Sequence, residues 1–214
     1  MAGSTISQSD TNGSVEAVTF YFDPACIWTW VTSRWLNNLA EQGIVKVSWK
    51  PFSLTRLNRG KELPAENRVK LAASTKALRV IAALDQAGEA DKIASFYTRL
   101  GEAWFVKKSE DLELALRGIL KEPDLEAFAK FADDSSLDEE VERHHDAAFS
   151  LAGPDVGSPI LRFASGGSSF YGPIIQQVPS IEDGIRLLEA VRTLAQLEAV
   201  YELKRGRTGT PEVS

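Results

Sequence analysis

Apolar and polar positions along the chain change period several times, and those changes divide it into elements. Val15 to Phe22 (VEAVTFYF) is β-branched and aromatic and reads as a buried strand. Asp23-Pro24 ends it, because proline donates nothing to a ladder and restricts the residue before it. From Cys26 onward Trp28, Val31, Trp35, Leu36 and Leu39 recur at helical spacing, with Gly43 as the expected C-terminal cap. Val45, Val47 and Trp49 then alternate with Lys46, Ser48 and Lys50, as in a strand buried on one side. Strand, helix and strand in so few residues predict a βαβ unit with parallel strands.

Residues from about 58 to 153 carry helical patterns only. The spacing predicts helices over 66–87, about 91–104 and 110–120. A fourth starts at Pro123-Asp124 with Leu125, Phe128 and Phe131, and a fifth opens on a capping box, Ser136-Leu-Asp-Glu139, and ends near Gly153. Strand character returns at Pro159-Ile-Leu-Arg-Phe163. Gly166-Gly167 turns the chain, and Ser168 to Tyr171 is expected to pair back as a hairpin. Ser180 caps a last helix with Ile181, Ile185, Leu188 and Leu194 on one face. The order βαβ, helical block, ββα predicts an α/β, thioredoxin-like fold with an all-helical insertion. Residues 15–57 and 154–200 would form the thioredoxin-like domain and 58–153 the insertion, with tails at 1–14 and 201–214.

Composition removes several function classes. A formal net charge of −6 and a pI near 5.1 argue against a nucleic-acid or anionic-membrane surface. No apolar run approaches the length of a transmembrane helix. Met1 to Ser14 lacks the charged start and apolar centre of a secretory signal and reads as a disordered tail. One cysteine in the chain permits no intrachain disulfide, which suits a reducing cytoplasm. Two histidines and one cysteine show no ligand spacing, so no metal is expected. Exposed aromatic helix faces leave room for a homodimer.

Candidate chemistry concentrates at Cys26. A lone cysteine is more often a small core residue than a nucleophile. This one opens a helix directly after a strand, where unpaired N–H groups and the helix dipole favour an anion, so its thiol is expected to ionise more easily than a free one. Asp23, close by, either caps the helix or, as an anion, raises the thiol pKa.

Several stretches occurring in order resemble a known family: Phe22-Asp-Pro-Ala-Cys-Ile-Trp-Thr-Trp, Thr32-Ser-Arg-Trp-Leu36, His145, Asp155-Val-Gly-Ser-Pro159, Phe170-Tyr-Gly-Pro173 and Glu202-Leu-Lys-Arg205. Together they resemble the DsbA-like thioredoxin superfamily, and within it the mycothiol-dependent nitroreductase group of cytoplasmic oxidoreductases. The resemblance implies that Cys26 is the nucleophile, that Pro159 is a cis-proline facing it, and that Ser158 offers backbone hydrogen bonds to a bound thiol compound. It also implies that Trp28 lines a ligand surface and that His145 contacts substrate or Cys26; an exposed or capping role is the alternative for His145. Mycothiol, or a glutathione-like thiol, would be the cofactor.

The motif departs from the family's Cys-Pro-Trp-Cys, reading Cys26-Ile27-Trp28-Thr29. Without a second cysteine no intramolecular disulfide stores two electrons, so a small thiol or an external redox protein must resolve any adduct with a small electrophilic substrate. Thr29, three positions along, either stabilises the Cys26 thiolate or bonds the preceding helical turn. Lys204, Arg205 and Arg207 make a small basic tail that either attracts an anionic thiol cofactor or, the safer reading, consists of solvated charges. Two other readings remain open. One is an enzyme like kappa-class glutathione transferase and hydroxychromene-carboxylate isomerase, in which the helix-start residue activates a bound thiol. The other is a non-catalytic binding protein on the same fold.

Overall fold

The computed structural model describes residues 15–213, so the expected N-terminal tail lies outside the described residues. Strand β1 (Glu16–Phe22) is the axis of a four-stranded mixed sheet of order β2-β1-β3-β4. It runs parallel to β2 (Val45–Pro51), with Phe20 opposite Trp49, and antiparallel to β3 (Ile160–Phe163), with Phe20 opposite Leu161. The two-residue β4 (Phe170–Tyr171) closes the expected hairpin on β3. The crossover from β1 to β2 is α1 (Ile27–Glu41). Gly43 ends it at φ +69°, and the Ile44 N–H returns to the Leu39 carbonyl at 3.0 Å.

The C-terminal half of β1, Phe20 to Phe22, is apolar and aromatic because both of its faces are covered. Phe20 and Phe22 point one way, meeting Trp49 edge-on and, for Phe22, Tyr97 at 4.3 Å between ring centroids. Tyr21 points the other way into a smaller cluster with Phe52, Ala148 and Ile160. The final helix α7 (Ile181–Ala195) is capped by Ser180 as the sequence predicts, and lies beside α1, where Trp35 Nε1 donates to the Gly184 carbonyl at 3.0 Å. This is the expected α/β thioredoxin-like arrangement.

Between β2 and β3 stand α2 (Leu54–Leu57), α3 (Ala65–Gln86), α4 (Ala90–Gly101), α5 (Leu112–Ile119) and α6 (Asp138–Ala152). The four-residue α2 shows no periodicity in the sequence and is too short to show any; Ser53 caps it by accepting from the Arg56 N–H. The expected fourth helix is instead a 3-10 stretch over Glu126–Asp133, consistent with apolar residues three apart at Leu125, Phe128 and Phe131. The capping box is also corrected. Ser136 lies inside a 3-10 turn (Ser135–Leu137) whose cap is Asp134, and α6 begins only afterwards. The second helix of the block runs on past Gly101 as a π turn, Glu102–Val106, with the Lys107 N–H bonded to the Glu102 carbonyl. That turn brings Phe105 to 5.9 Å from the Trp30 ring.

Residues 201–213 have neither helix nor strand, but they are held. The Glu212 N–H donates to the Gln176 carbonyl at 2.7 Å, and Val213 packs against the main core. No helix among the described residues is long and apolar enough to cross a membrane.

α4 approaches α1 closely enough that Gly101 has no room for a side chain. A Cβ there would stand 2.2 Å from Trp30 ring carbons, and Trp30 is fully buried. The substitution Gly101→Ala is therefore expected to cost about 2 kcal/mol or more. A lowered denaturant midpoint with an unchanged slope would register it.

Candidate active site

Cys26 is the N-cap of α1, at φ −91° and ψ 111°, and is partly exposed. Its carbonyl takes the Trp30 N–H and its own N–H goes to the Asp23 carbonyl, so the β1–α1 turn fixes where the sulfur points. The sulfur faces the loop before β3: Sγ lies 3.7 Å from the Ser158 carbonyl oxygen, with the thiol as donor. The Ser158–Pro159 peptide bond is cis, as the resemblance implied, and so is Gly172–Pro173.

A chain of hydroxyls lies behind the sulfur. Ser158 is buried; its Oγ accepts from the Asp23 N–H at 3.0 Å and lies 2.9 Å from Thr29 Oγ1. Thr29 is fully buried on the first turn of α1. Its hydroxyl thus serves the contact between the helix start and the proline loop.

Asp23 is fully buried and organises the surroundings. Its carboxylate accepts from the Ala25 N–H at 2.8 Å, the Leu54 N–H at 2.7 Å and the Ser74 hydroxyl at 2.5 Å. Burial pushes its pKa up, and these three donors and Lys70 oppose that push. Ser74 is absent from the sequence-based candidates. The available signal is a serine on the apolar stripe of α3, between Leu71 and Leu78, where a hydroxyl needs a buried partner.

The expected easy ionisation of Cys26 is corrected here. Burial pushes the thiol above its ordinary range. The Thr29 hydroxyl and the Thr29 and Trp28 N–H groups pull it back, while the Asp23 charge adds to the rise. The helix start supplies the favourable N–H groups foreseen from the sequence, but desolvation outweighs them.

Trp28 is half-exposed in the first turn of α1, and the Arg207 guanidinium stands 4.9 Å from its ring centroid. Arg207, read from the sequence as a solvated charge, is thus exposed but placed on an aromatic face. His145 is not brought to the thiol. It is buried, accepts at Nδ1 from the Ser53 N–H at 3.3 Å, and packs against Phe52 and Phe149. The expected exposed position is corrected by that burial. Burial, with Arg56 adding to it, lowers its pKa from 6.5 to about 4.

Three donors of a kind that bind metals do converge in space, at Asp85, Glu140 and His144, with ligand atoms within 4.8 Å of one another. Cations already serve them: Lys50 Nζ lies 2.6 Å from Asp85 and Arg143 pairs with Glu140. Sequence spacing missed the group because Asp85 ends α3 while the other two lie on α6.

A single cysteine opening a helix after a parallel strand, aimed at the carbonyl before a cis-proline, defines a thiol protein of the thioredoxin fold, DsbA-like in its helical insertion. The chain belongs to the family described as Rv2466c-like, mycothiol-dependent nitroreductase Rv2466c, which it matches over residues 25–205. It is 26% identical over 196 residues to the uncharacterized protein Rv2286c of Mycobacterium tuberculosis, covering 89% of this chain and 82% of that one. Its fold is similar to the cytosolic disulfide reductase DsbM of Pseudomonas aeruginosa with GSH. The TM-score is 0.55 at 16% identity, over 83% of this chain and 99% of that one. It is likewise similar to a 2-hydroxychromene-2-carboxylate isomerase, with a TM-score of 0.54 at 17% identity, over 86% and 98%.

Two outcomes are expected. In resting protein, the rate of Cys26 alkylation should still be rising with pH above about 8.5, the ordinary thiol value. Thr29→Val should move that profile further up by about half a unit to one unit, while Thr29→Ser leaves it nearly in place. The second concerns His145, whose folded-state pKa is depressed. Its contribution to stability is fully present above 6.5 and is lost as pH falls toward about 4, because the unfolded chain binds the proton first. Unfolding free energies measured across that window should lose up to one proton of pH dependence in His145→Gln.

Proposed function

We propose that the protein is a cytoplasmic, monothiol oxidoreductase or thiol transferase in which Cys26 exchanges with a low-molecular-weight thiol, most readily mycothiol, to act on a small electrophilic substrate. The observation that carries this is the 3.7 Å approach of a partly exposed Cys26 sulfur to the Ser158 carbonyl, in a chain with no second cysteine. Membership of a family described as mycothiol-dependent supports the choice of thiol.

The residues suit such a ligand. Ser158 and Pro159 offer backbone beside the sulfur, and Trp28, in the first turn of α1, offers a half-exposed aromatic ring. A small thiol held there supplies the second sulfur that the chain lacks. Its own residues do the rest. Ser158 Oγ accepts from the Asp23 N–H and shares one proton with Thr29 Oγ1, 2.9 Å away; in this reading Ser158 is the donor of that pair. That arrangement frees the Thr29 proton for the Cys26 sulfur as negative charge develops on it.

The exchange balances as follows. The Cys26 thiolate attacks one sulfur of a disulfide R–S–S–R′, the S–S bond breaks, and R′–S⁻ leaves with the electron pair. A deprotonated external thiol then attacks the R sulfur of Cys26–S–S–R and releases Cys26 as thiolate. One cycle consumes one external thiol, R″–SH, and leaves R–S–S–R″. Because Cys26 is regenerated, full reduction of R–S–S–R′ to two thiols takes two external thiol equivalents, the second attacking that mixed disulfide.

A second reading is favoured by one observation, the upward push on the Cys26 pKa. A thiol kept protonated donates a hydrogen bond, and at the helix start it would stabilise the thiolate of a bound cofactor without being oxidised. That is the route of an isomerase- or transferase-like enzyme.

Intact mass after incubation with oxidised mycothiol or oxidised glutathione separates the two. The oxidoreductase reading expects one adduct per chain, absent in Cys26→Ser and removed by excess thiol. Thiol binding with no adduct, and activity retained in Cys26→Ser, would sink it in favour of the second.

A further inference from the structure

The segment after α7 reaches the active site by a route that helix and strand patterns do not reveal. It is anchored at its far end. Glu212 and Gln176 exchange two hydrogen bonds, backbone to backbone at 2.7 Å and Gln176 Nε2 to Glu212 Oε1 at 2.9 Å. Gly209 lies so close to Gln176 that a Cβ there would stand 2.4 Å from Oε1. Between this anchor and α7, Arg207 sits over the ring of Trp28, two residues from Cys26. The family match ends at residue 205, short of Arg207 and of the anchor.

The electrostatics give this pair a purpose. The chain has a net charge of −6, and the charge felt most by Cys26 is the buried Asp23 carboxylate, so an anion approaching the sulfur meets repulsion. Arg207 is the cation placed beside the helix start. Among the described residues, arginine–carboxylate pairs occupy Arg56, Arg59, Arg79, Arg99, Arg117, Arg143, Arg186 and Arg192. Arg207, like Arg34, Arg68, Arg162 and Arg205, is in none of them, and it is the one of these whose guanidinium lies over the Trp28 ring. A guanidinium lying on an aromatic ring uses its π face and keeps its N–H donors in their fork at the edge. That fork matches a carboxylate bidentately.

We infer that Trp28 and Arg207 form a recognition platform that selects carboxylate-bearing aromatic electrophiles for the Cys26 thiol, with Arg207 as the specificity-determining residue. The inference deepens the proposed function and rests on Cys26 being the reacting group. The step it serves is the exchange already balanced above, with the leaving sulfur on an aromatic carboxylate.

The test uses the single cysteine as its own reporter. Full-length protein is reacted at fixed pH with dithiobis(nitrobenzoate), an anionic aromatic disulfide, and with the neutral dithiodipyridine, following the released thiolate or thione. Arg207→Ala should slow the anionic reagent about three- to ten-fold and leave the neutral one unchanged. Arg207→Lys should recover part of the loss, and added salt should shrink the wild-type advantage. An unchanged ratio of the two rates in Arg207→Ala overturns the inference. So does an equal acceleration of both, which would make the segment a cover only. A wild-type protein that reacts with neither reagent would remove the nucleophilic thiol of the proposed function instead. Recognition is then decided separately in Cys26→Ser protein by comparing nitrobenzoate and nitrobenzene binding. A preference for nitrobenzoate that disappears in the Cys26→Ser, Arg207→Ala double variant supports the platform, and no preference overturns it.

Discussion

One buried carboxylate ties the active site to the fold. Asp23 ends the central strand, and its hydrogen bonds reach four other segments. The Ala25 N–H lies in the turn into α1, the Leu54 N–H starts α2, and Ser74 belongs to α3. The fourth is the loop before β3, where Ser158 Oγ accepts from the Asp23 N–H. Desolvating a carboxylate costs several kcal/mol, and hydrogen bonds from donors that would otherwise be buried and unpaired offset that cost. The helical block and the thioredoxin-like sheet therefore meet at a polar centre as well as an apolar one. The site inherits its geometry from that centre, since the residue that positions Ser158 also fixes the turn carrying Cys26.

Burial, with this carboxylate adding to it, explains why the thiol is not as acidic as its place at a helix start suggests. Free N–H groups there favour an anion, but burial removes water, and a second anion nearby compounds the loss. Hydroxyls can repair the balance locally because they reorient without cost in charge. In this chain Thr29 and Ser158 are the adaptable groups and Asp23 the fixed one.

Much of this was legible in the sequence. The strand Val15 to Phe22, the helix opening at Cys26, the parallel β2 and the Ser180 cap all follow from period and cap chemistry, which act between near neighbours. The cis bond at Pro159 followed from resemblance, since local sequence alone favours trans. What escaped depends on partners far along the chain. Phe128 and Phe131 fit a helix of either pitch. Ser136 has the form of a cap but lies inside the short turn before α6, which Asp134 caps. The burial of His145 depends on Phe52, more than ninety residues earlier, as well as on Phe149 one turn along its own helix. Arg207 belongs to a polar stretch with no period, held by single side chains of a loop more than thirty residues earlier.

Thr29 stands where a dithiol relative would keep its second sulfur, and its hydroxyl meets Ser158 at 2.9 Å. A disulfide between the two positions would be made and broken in each dithiol cycle. A hydroxyl pair has no oxidation state to change. The contact between helix and proline loop thus undergoes no redox change of its own, and it is made by groups other than the sulfur that it helps to aim.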